Sequence, residues 1–502
     1  MKKKDSIQNN ENNFNDEITL EYCLANQNLN YEKYKNSETK LIYTDNFENN
    51  IEEKLKLNKP VSLENLLQFL QNDKYYDIFI NDKKSNKNLF LNYKNIKNKN
   101  NINNNEIVFD SNFEQGNLRF VIEIINNDKN YKEYDLILRK EINSFKNYSG
   151  FLFSICCKQP TNIKFNIINL RKKNNLSFLN KNINILTYNN ITKFTRNSVS
   201  NIFYYPNLFQ IKKENNENEI NSINEEKDSK NFYTLSFTYK CTLINNKIYF
   251  CNTYPYTYSM LQEYLKTINK SLFVKFSLLQ KTVCGNILDV VQVTNFSSDS
   301  KNKKNVIFTA RIHSGETPGS YIIEAIINNL IYNSKYKFLL NKFIFKIIPM
   351  INIDGVINGN YRYNIFGKDL NRYWNEPDKT FYPELIALKK FFSLNKPIYF
   401  FCDFHGHAGI SSCGVYSCEN NNFFEKSKFY CKVNNEYFIN KGKENTCRSI
   451  VYNEYKVKNC FCFETSLYSV YETEENIKGI KLLDFEEIGK DFLDSSVEYI
   501  KK

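Results

Sequence analysis

Histidine is nearly absent from this chain. Of 502 residues only His313, His405 and His407 are histidines, and all three fall inside two short segments, ARIHSGETPG and FCDFHGHAG. That concentration points to a metal site. CxxC pairs are missing as well. Thirteen cysteines with no regular spacing and no secretory signal read as free thiols in a reducing compartment rather than as a disulfide framework. No apolar run approaches the roughly 18 residues needed to span a membrane, and the first residues, MKKKDSIQNNENNFNDE, are polar throughout, so a soluble intracellular protein is expected. Nucleic-acid modules and basic helices of regular spacing are also lacking. The formal net charge of +13 therefore does not predict a nucleic-acid partner, since the lysines are scattered through Asn-rich stretches such as KNIKNKNNINNNE. A positive average field would still draw in an acidic substrate.

The length leaves room for about three average domains. Residues 1–105 mix polar low-complexity tracts with one amphipathic helix expected at 62–72, and read as a loosely packed, partly disordered extension. From 106 to 253 short alternating runs, among them LRFVIEI, EYDLILR, GFLFSICC, IKFNIINL and YTLSFTYKC, predict an antiparallel β-sandwich domain. An acidic, Asn-rich tract at about 212–230 interrupts it as an expected disordered surface insert. From 254 to 502 strand-like runs alternate with helix-like ones, which predicts an α/β domain with a mixed sheet covered by helices on both faces. In such sheets ligands collect at the carboxyl ends of strands, and both histidine segments lie at such ends.

His313 and Glu316 stand three apart where NVIFTARI gives way to the helix-like ETPGSYIIEAIINNLI, and His405 follows PIYFFCDF. Two imidazole nitrogens and one carboxylate oxygen give zinc three protein ligands and leave a fourth position open, as a catalytic zinc requires. His407, two positions beyond His405, could share its face on an extended segment. The turn expected at a strand end favours His405 as the ligand and leaves His407 beside it or in the cleft wall. Water at such a metal needs a base to take its proton. Glu464 is the candidate, because it ends the apolar run NCFCF, where an ionisable side chain has no use in packing.

Five ordered motifs between residues 311 and 469, RIHSGETPGS, NIDGVINGNYR, GKDLNRYW, DFHGHA and FETSLYS, resemble the catalytic domain of the cytosolic carboxypeptidases, within the zinc metallocarboxypeptidase superfamily. FDSNFEQGNLR, EYDLIL, FNIINL and YPYTYSMLQEYL are similar to that family's N-terminal β-domain and its junction. The resemblance implies one zinc ion per chain on His313, Glu316 and His405, with Glu464 as general base. It implies that Asn371 and Arg372 hold a terminal carboxylate, that Arg362 stabilises the oxyanion, and that Asp369 orients the first zinc histidine. Arg448, sixteen residues before Glu464, matches the arginine facing the side-chain carboxylate of a C-terminal glutamate. A guanidinium fork suits both carboxylate tasks.

The substrates so implied are polyglutamylated proteins, tubulin tails above all, in the cytoplasm and on microtubules or axonemes. The β-domain would shape the cleft rim. YS after FETSL is similar to the shorter family members, which implies trimming of long glutamate chains. Ala408 departs from the pattern, where a serine is often found, and residues 1–105 match nothing. Two other readings use part of the same pattern. An amidohydrolase of the acylase kind can share HxxE and a later histidine, but the β-domain motifs, DLNR and Arg448 argue against it. A non-catalytic binder of glutamylated tails would have no use for Glu464.

Overall fold

The computed structural model describes residues 38–44, 78–80, 106–125, 131–142, 150–170, 183–211, 231–419, 422–431, 442–473 and 476–501. The helix expected at 62–72 and the insert at 212–230 lie outside them. Two sheets form the first domain. The larger joins Glu38–Thr44 (β1), Ile78–Ile80 (β2), Leu118–Ile125 (β4), Lys132–Leu138 (β5), Thr161–Leu170 (β7), Val199–Ile211 (β10) and Asn231–Cys241 (β11) in the order β1-β4-β5-β7-β11-β10-β2. The smaller joins Ile107–Asp110 (β3), Leu152–Cys157 (β6), Leu186–Asn189 (β8), Lys193–Thr195 (β9) and Lys247–Cys251 (β12) in the order β3-β6-β12-β8-β9. Pairing is antiparallel except between β5 and β7, which run parallel. β1 and β2, from the segment read as an extension, close the two edges of the larger sheet.

Alternation of side chains along each strand puts one face of each sheet into a shared core. Phe165 of β7 meets Phe153 of β6 and Phe250 of β12 edge-on, at ring-centroid distances of 5.8 and 5.3 Å. Each such aromatic pair adds about 0.5–1.5 kcal/mol beyond the burial of its area.

The second domain is built on seven strands: Val274–Lys281 (β13), Ile287–Val293 (β14), Lys304–Ala310 (β15), Phe343–Ile348 (β16), Ile398–His407 (β17), Cys413–Ser417 (β18) and Asn459–Ser466 (β19). Their order is β13-β14-β16-β15-β17-β19-β18. The centre, β16-β15-β17-β19, is parallel and the edges are antiparallel. The central strands are rich in apolar residues because both of their faces are covered. The helices are Tyr258–Ile268 (α1), Pro318–Tyr332 (α2), Lys337–Lys342 (α3), Ile353–Ile357 (α4), Pro383–Leu394 (α5), Cys447–Tyr455 (α6) and Leu482–Lys501 (α7).

The two faces of β17 take different partners. Phe400 and Phe404 point toward α7, where the Phe492 ring lies 4.9 Å from that of Phe404 and 5.3 Å from that of Phe463 in β19. Phe401 points the other way, onto Phe392 of α5 at 5.7 Å. By the same alternation Asp403 and His405 share the face of Phe401, while Cys462 and Glu464 of β19 stand opposite the face of Phe463. A final hairpin, Ser469–Tyr471 (β20) with Ile477–Gly479 (β21), follows β19. Among the described residues no helix is long and apolar enough to cross a membrane.

The two domains share side chains. Leu467 and Tyr468, just past β19, are buried in the β-sandwich core. Asn252 Nδ2 donates to the Tyr468 hydroxyl at 3.1 Å, and Thr253 Oγ1 to the Leu467 carbonyl at 3.2 Å. The strand that carries Glu464 is thereby anchored in the neighbouring domain.

Candidate metal centre and active site

The parallel strand β15 ends at Ala310, and Arg311 turns the chain with φ 59°. A left-handed conformation at a non-glycine residue costs on the order of 1–3 kcal/mol and persists only where the surroundings hold it. They do: the buried Arg311 guanidinium donates to the carbonyls of Ser314 and Tyr256, both at 3.0 Å, and to Ser320 Oγ at 2.9 Å. Burial holds its pKa down to about 10. The turn carries His313 and Glu316 and leads into α2. Gly315 has no alternative there, since a Cβ would lie 2.4 Å from Tyr361 Cδ2.

Three donors converge. His313 Nδ1 lies 2.8 Å from Glu316 Oε1, and His405 Nδ1 lies 2.8 Å from Glu316 Oε2. One ligand atom from each residue falls within 4.8 Å of the others, and all three residues are buried. Burial alone would raise the Glu316 pKa, but the two histidines outweigh it and hold the carboxyl well below its usual range. Glu316 is therefore a carboxylate, the form that binds a cation.

The outer nitrogens are engaged too. His313 Nε2 lies 3.2 Å from Asp369 Oδ1, and His405 Nε2 lies 2.8 Å from Asp403 Oδ2. A carboxylate behind each histidine fixes the ring and its tautomer, which is how metal-binding imidazoles are held. Two imidazoles, one carboxylate and these supports fit a zinc-type ion. His407 stands apart from the donor set: its Nδ1 accepts from the Gly409 backbone N–H at 3.0 Å.

Strand register delivers Glu464. His405 of β17 pairs with Glu464 of β19, and Gly414 of β18 pairs with Glu464 from the other side. Its Oε1 accepts from Cys462 Sγ at 3.8 Å, while Oε2 is buried without a hydrogen-bond partner. Burial raises its pKa against the pull of His405, and Glu316 adds to the rise. A carboxylate with a raised pKa and a bare oxygen beside a donor cluster is suited to carrying a proton.

The arginines lie around this centre. Arg362 donates from Nε to Asp369 Oδ2 at 2.8 Å and pairs with the same oxygen through Nη2 at 2.7 Å. Asp369 thus joins His313 and Arg362. Asn371 Nδ2 lies 3.5 Å from His405 Nε2, its Oδ1 accepts from the Cys447 N–H at 2.8 Å, and Arg372 Nη1 donates to its backbone carbonyl at 2.9 Å. Arg448 follows Cys447 in the first turn of α6. It is buried, and donates to the Ser417 carbonyl and to Cys418 Sγ. No acidic side chain pairs with Arg448 or Arg372 among the described residues. Ser417 lies three residues along β18 from Gly414, the partner of Glu464.

His313, Glu316, His405 and Glu464, picked out from their strand ends, and Asp369, Arg362, Asn371 and Arg372, implied by the family resemblance, lie together in the structure. Asp403 and Arg311 were missed. Asp403 had a signal, since in FCDFHGH it stands two before His405 and so on the same face of a strand. Arg311 had none, because its role is a backbone turn.

The fold and the donor set define a class. Residues 261–460 match the zinc carboxypeptidase family, Peptidase M14, and the chain carries a domain of that family, which implies a metal at the His–Glu–His cluster. Its relatives by sequence are cytosolic carboxypeptidases. It is 29% identical to human cytosolic carboxypeptidase 1 over 434 residues, which is 76% of this chain and 34% of that protein. It is 30% identical to human cytosolic carboxypeptidase 2 over 330 residues, 63% of this chain and 35% of that one. The chain thus spans about a third of the length of these curated relatives. Its fold is similar to a metallo-carboxypeptidase from Burkholderia cenocepacia, with TM-score 0.63 and 16% identity, covering 79% of this chain and 99% of the other. A metallo-carboxypeptidase from Pseudomonas aeruginosa, in complex with (2-guanidinoethylmercapto)succinic acid, gives TM-score 0.61 at 16% identity over 78% and 99%.

Proposed function

We propose that this protein is a zinc-dependent metallocarboxypeptidase that removes glutamates from C-terminal or side-chain polyglutamate tails of proteins, with tubulin as its substrate and the cytoplasm as its place of action. The observation that carries this reading is the pairing of His405 with Glu464, which sets a carboxylate with one unpartnered oxygen beside the donor set of His313, Glu316 and His405. One zinc ion per chain, held by those three residues, would supply Lewis acidity toward the scissile carbonyl and lower the pKa of water.

Glu464 in its carboxylate form accepts the proton of the attacking water and delivers it to the departing amine nitrogen. Arg362 sits beside Asp369 and stabilises the charge that develops on the carbonyl oxygen. Arg372 and Asn371 receive the terminal carboxylate. Arg448 selects glutamate: a buried guanidinium whose contacts are a carbonyl and a thiol keeps donors for a carboxylate, and a fork matches that group. The likeness of YS after FETSL to the shorter family members supports trimming of long chains.

The test is glutamate release from a synthetic polyglutamylated tail peptide by purified protein, with and without chelator, beside Glu464→Gln. Release that needs zinc and disappears in the variant is the expected result. No release by zinc-loaded, folded protein across linear, branched and tubulin substrates would overturn the reading and favour a binder of such tails.

A further inference from the structure

The loop 357–363, which ends in Arg362 and Tyr363, lies between the two domains. From the catalytic side, Gly315 N–H donates to the Tyr361 carbonyl at 2.6 Å and Ser314 Oγ to the Asn360 carbonyl at 2.7 Å. From the β-domain, Gln115 N–H donates to the Ile357 carbonyl at 3.2 Å and Arg139 Nη2 to the Asn358 carbonyl at 2.7 Å. Ile142 N–H donates to Asn360 Oδ1 at 3.1 Å. The last attachment is a side chain the mechanism above does not use. Glu141, just beyond β5, accepts the N–H groups of Arg362 and Tyr363 on a single oxygen, Oε2, at 2.9 and 2.8 Å.

Glu141 is buried, and its Oε1 has no hydrogen-bond partner. Burying a carboxyl with one oxygen unsatisfied is costly, and among the described residues the hydrogen bonds it accepts come from those two amides. Through them it fixes the backbone from which the Arg362 side chain reaches Asp369, and Asp369 holds His313. A misplacement of about 1 Å at a charge-stabilising group can cost about 100-fold in rate.

We propose that Glu141 is a positioning residue for Arg362, so that the β-domain supplies part of the catalytic site and is more than a cleft rim. The inference rests on the carboxypeptidase reading for its effect on rate, but not for its effect on the loop. Burial pushes the Glu141 carboxyl up to about 7, so a glutamine, which keeps an acceptor oxygen at the same reach, mimics its protonated form. Glu141→Asp keeps the charge and withdraws the oxygen by one methylene.

Five variants of the full chain test this: Glu141→Ala, Glu141→Gln, Glu141→Asp, Arg362→Ala and the double variant Glu141→Ala with Arg362→Ala. Glu141→Ala should lower kcat at least about tenfold and change KM less than about twofold, with zinc content unchanged. Glu141→Gln should restore most of kcat, and Glu141→Asp should not. In the Arg362→Ala background, Glu141→Ala should cost no further activity, because two residues acting through one contact are not additive. Amide hydrogen exchange, which needs no activity, should speed up at Arg362 and Tyr363 in Glu141→Ala and Glu141→Asp and stay slow in Glu141→Gln.

Additive losses in the double variant, an active Glu141→Asp beside an impaired Glu141→Gln, or unchanged exchange at residues 362 and 363 would each overturn the proposal. If Glu141→Ala does not fold, the aspartate and glutamine variants decide by the same criteria. An inactive wild-type protein with the expected exchange pattern would sink the carboxypeptidase reading while leaving the positioning role standing.

Discussion

His313, Glu316 and His405 issue from the ends of two adjacent parallel strands, whereas Arg362, Arg372 and Arg448 issue from a long loop and the first turn of a helix. The donors are held by sheet register and by a carboxylate behind each imidazole. The arginines are each held by different contacts: Arg362 by Asp369, Arg372 by the Asn371 carbonyl, Arg448 by the Ser417 carbonyl. Displacing the donors requires shifting the central sheet, while displacing an arginine requires breaking a few hydrogen bonds. The donor set is thereby fixed more rigidly than Arg448, the residue proposed to choose the C-terminal side chain.

The sharpest test of that contrast is Glu464→Gln. The amide keeps the shape and the strand pairing but cannot accept a proton, so kcat should fall about 10³-fold. Zinc content and thermal unfolding should stay near wild type. A variant that loses zinc as well would place Glu464 among the ligands rather than beside them. Arg448→Ala should act on choice of substrate. Removing one partner of a desolvated charge pair costs about 2–5 kcal/mol, so kcat/KM for a C-terminal glutamate should fall about 100-fold, while hydrolysis of peptides ending in leucine changes little. Equal losses on both peptides would assign Arg448 to the integrity of α6 instead.

The difference in anchoring also explains how much could be read beforehand. The donor set and Glu464 were legible because strands report their own faces: an HxxE at one strand end, a histidine at a second and a glutamate closing NCFCF need only period-two alternation to meet. The parallel centre of the sheet was legible for the same reason, in its apolar runs. Arg448 could be picked out only through likeness to a family, since nothing in NTCRSIVYNEY says that its guanidinium turns back to Ser417 of β18. β1 and β2 were not legible, because isolated short strands in polar surroundings resemble coil until the sheet edge that accepts them is known. Glu141 looked like any charge beyond a strand, and its role depends on a loop more than 200 residues away.

Asp403 tests the support behind the donors. Asp403→Asn keeps one acceptor for His405 Nε2 but removes the charge, and Thr309 Oγ1, 2.7 Å from Asp403 Oδ1, can hold the amide in place. Loss of a carboxylate behind a metal-binding histidine weakens metal affinity about 10–100-fold. Competition with a chelator should show that loss, and activity at saturating zinc should recover in large part. Unchanged zinc affinity would mean that β17 alone orients His405, making the register an even stronger constraint than the side-chain contacts suggest.

The smallest effect is expected from Lys443, which is exposed in the turn before α6. Its carbonyl is held by the hydroxyls of Thr446 and Ser449 at 2.8 and 2.7 Å. Although the residue reaches solvent, protein around its ammonium removes enough water to lower its pKa, Arg372 and Arg362 add to that, and Glu464 opposes them. A cation so placed draws acidic chains toward the arginines without being built into a pocket, and exposed charges act at a range set by salt. Lys443→Ala should raise KM for a polyglutamate tail about threefold at about 0.05 M salt and not measurably at about 1 M, where the screening length falls to about 3 Å. The selectivity lost in Arg448→Ala should persist at both salt concentrations, because a buried pair is screened far less. If the Lys443 effect also survives high salt, that lysine contacts the bound substrate directly, and specificity reaches further out from the sheet than Arg448 indicates.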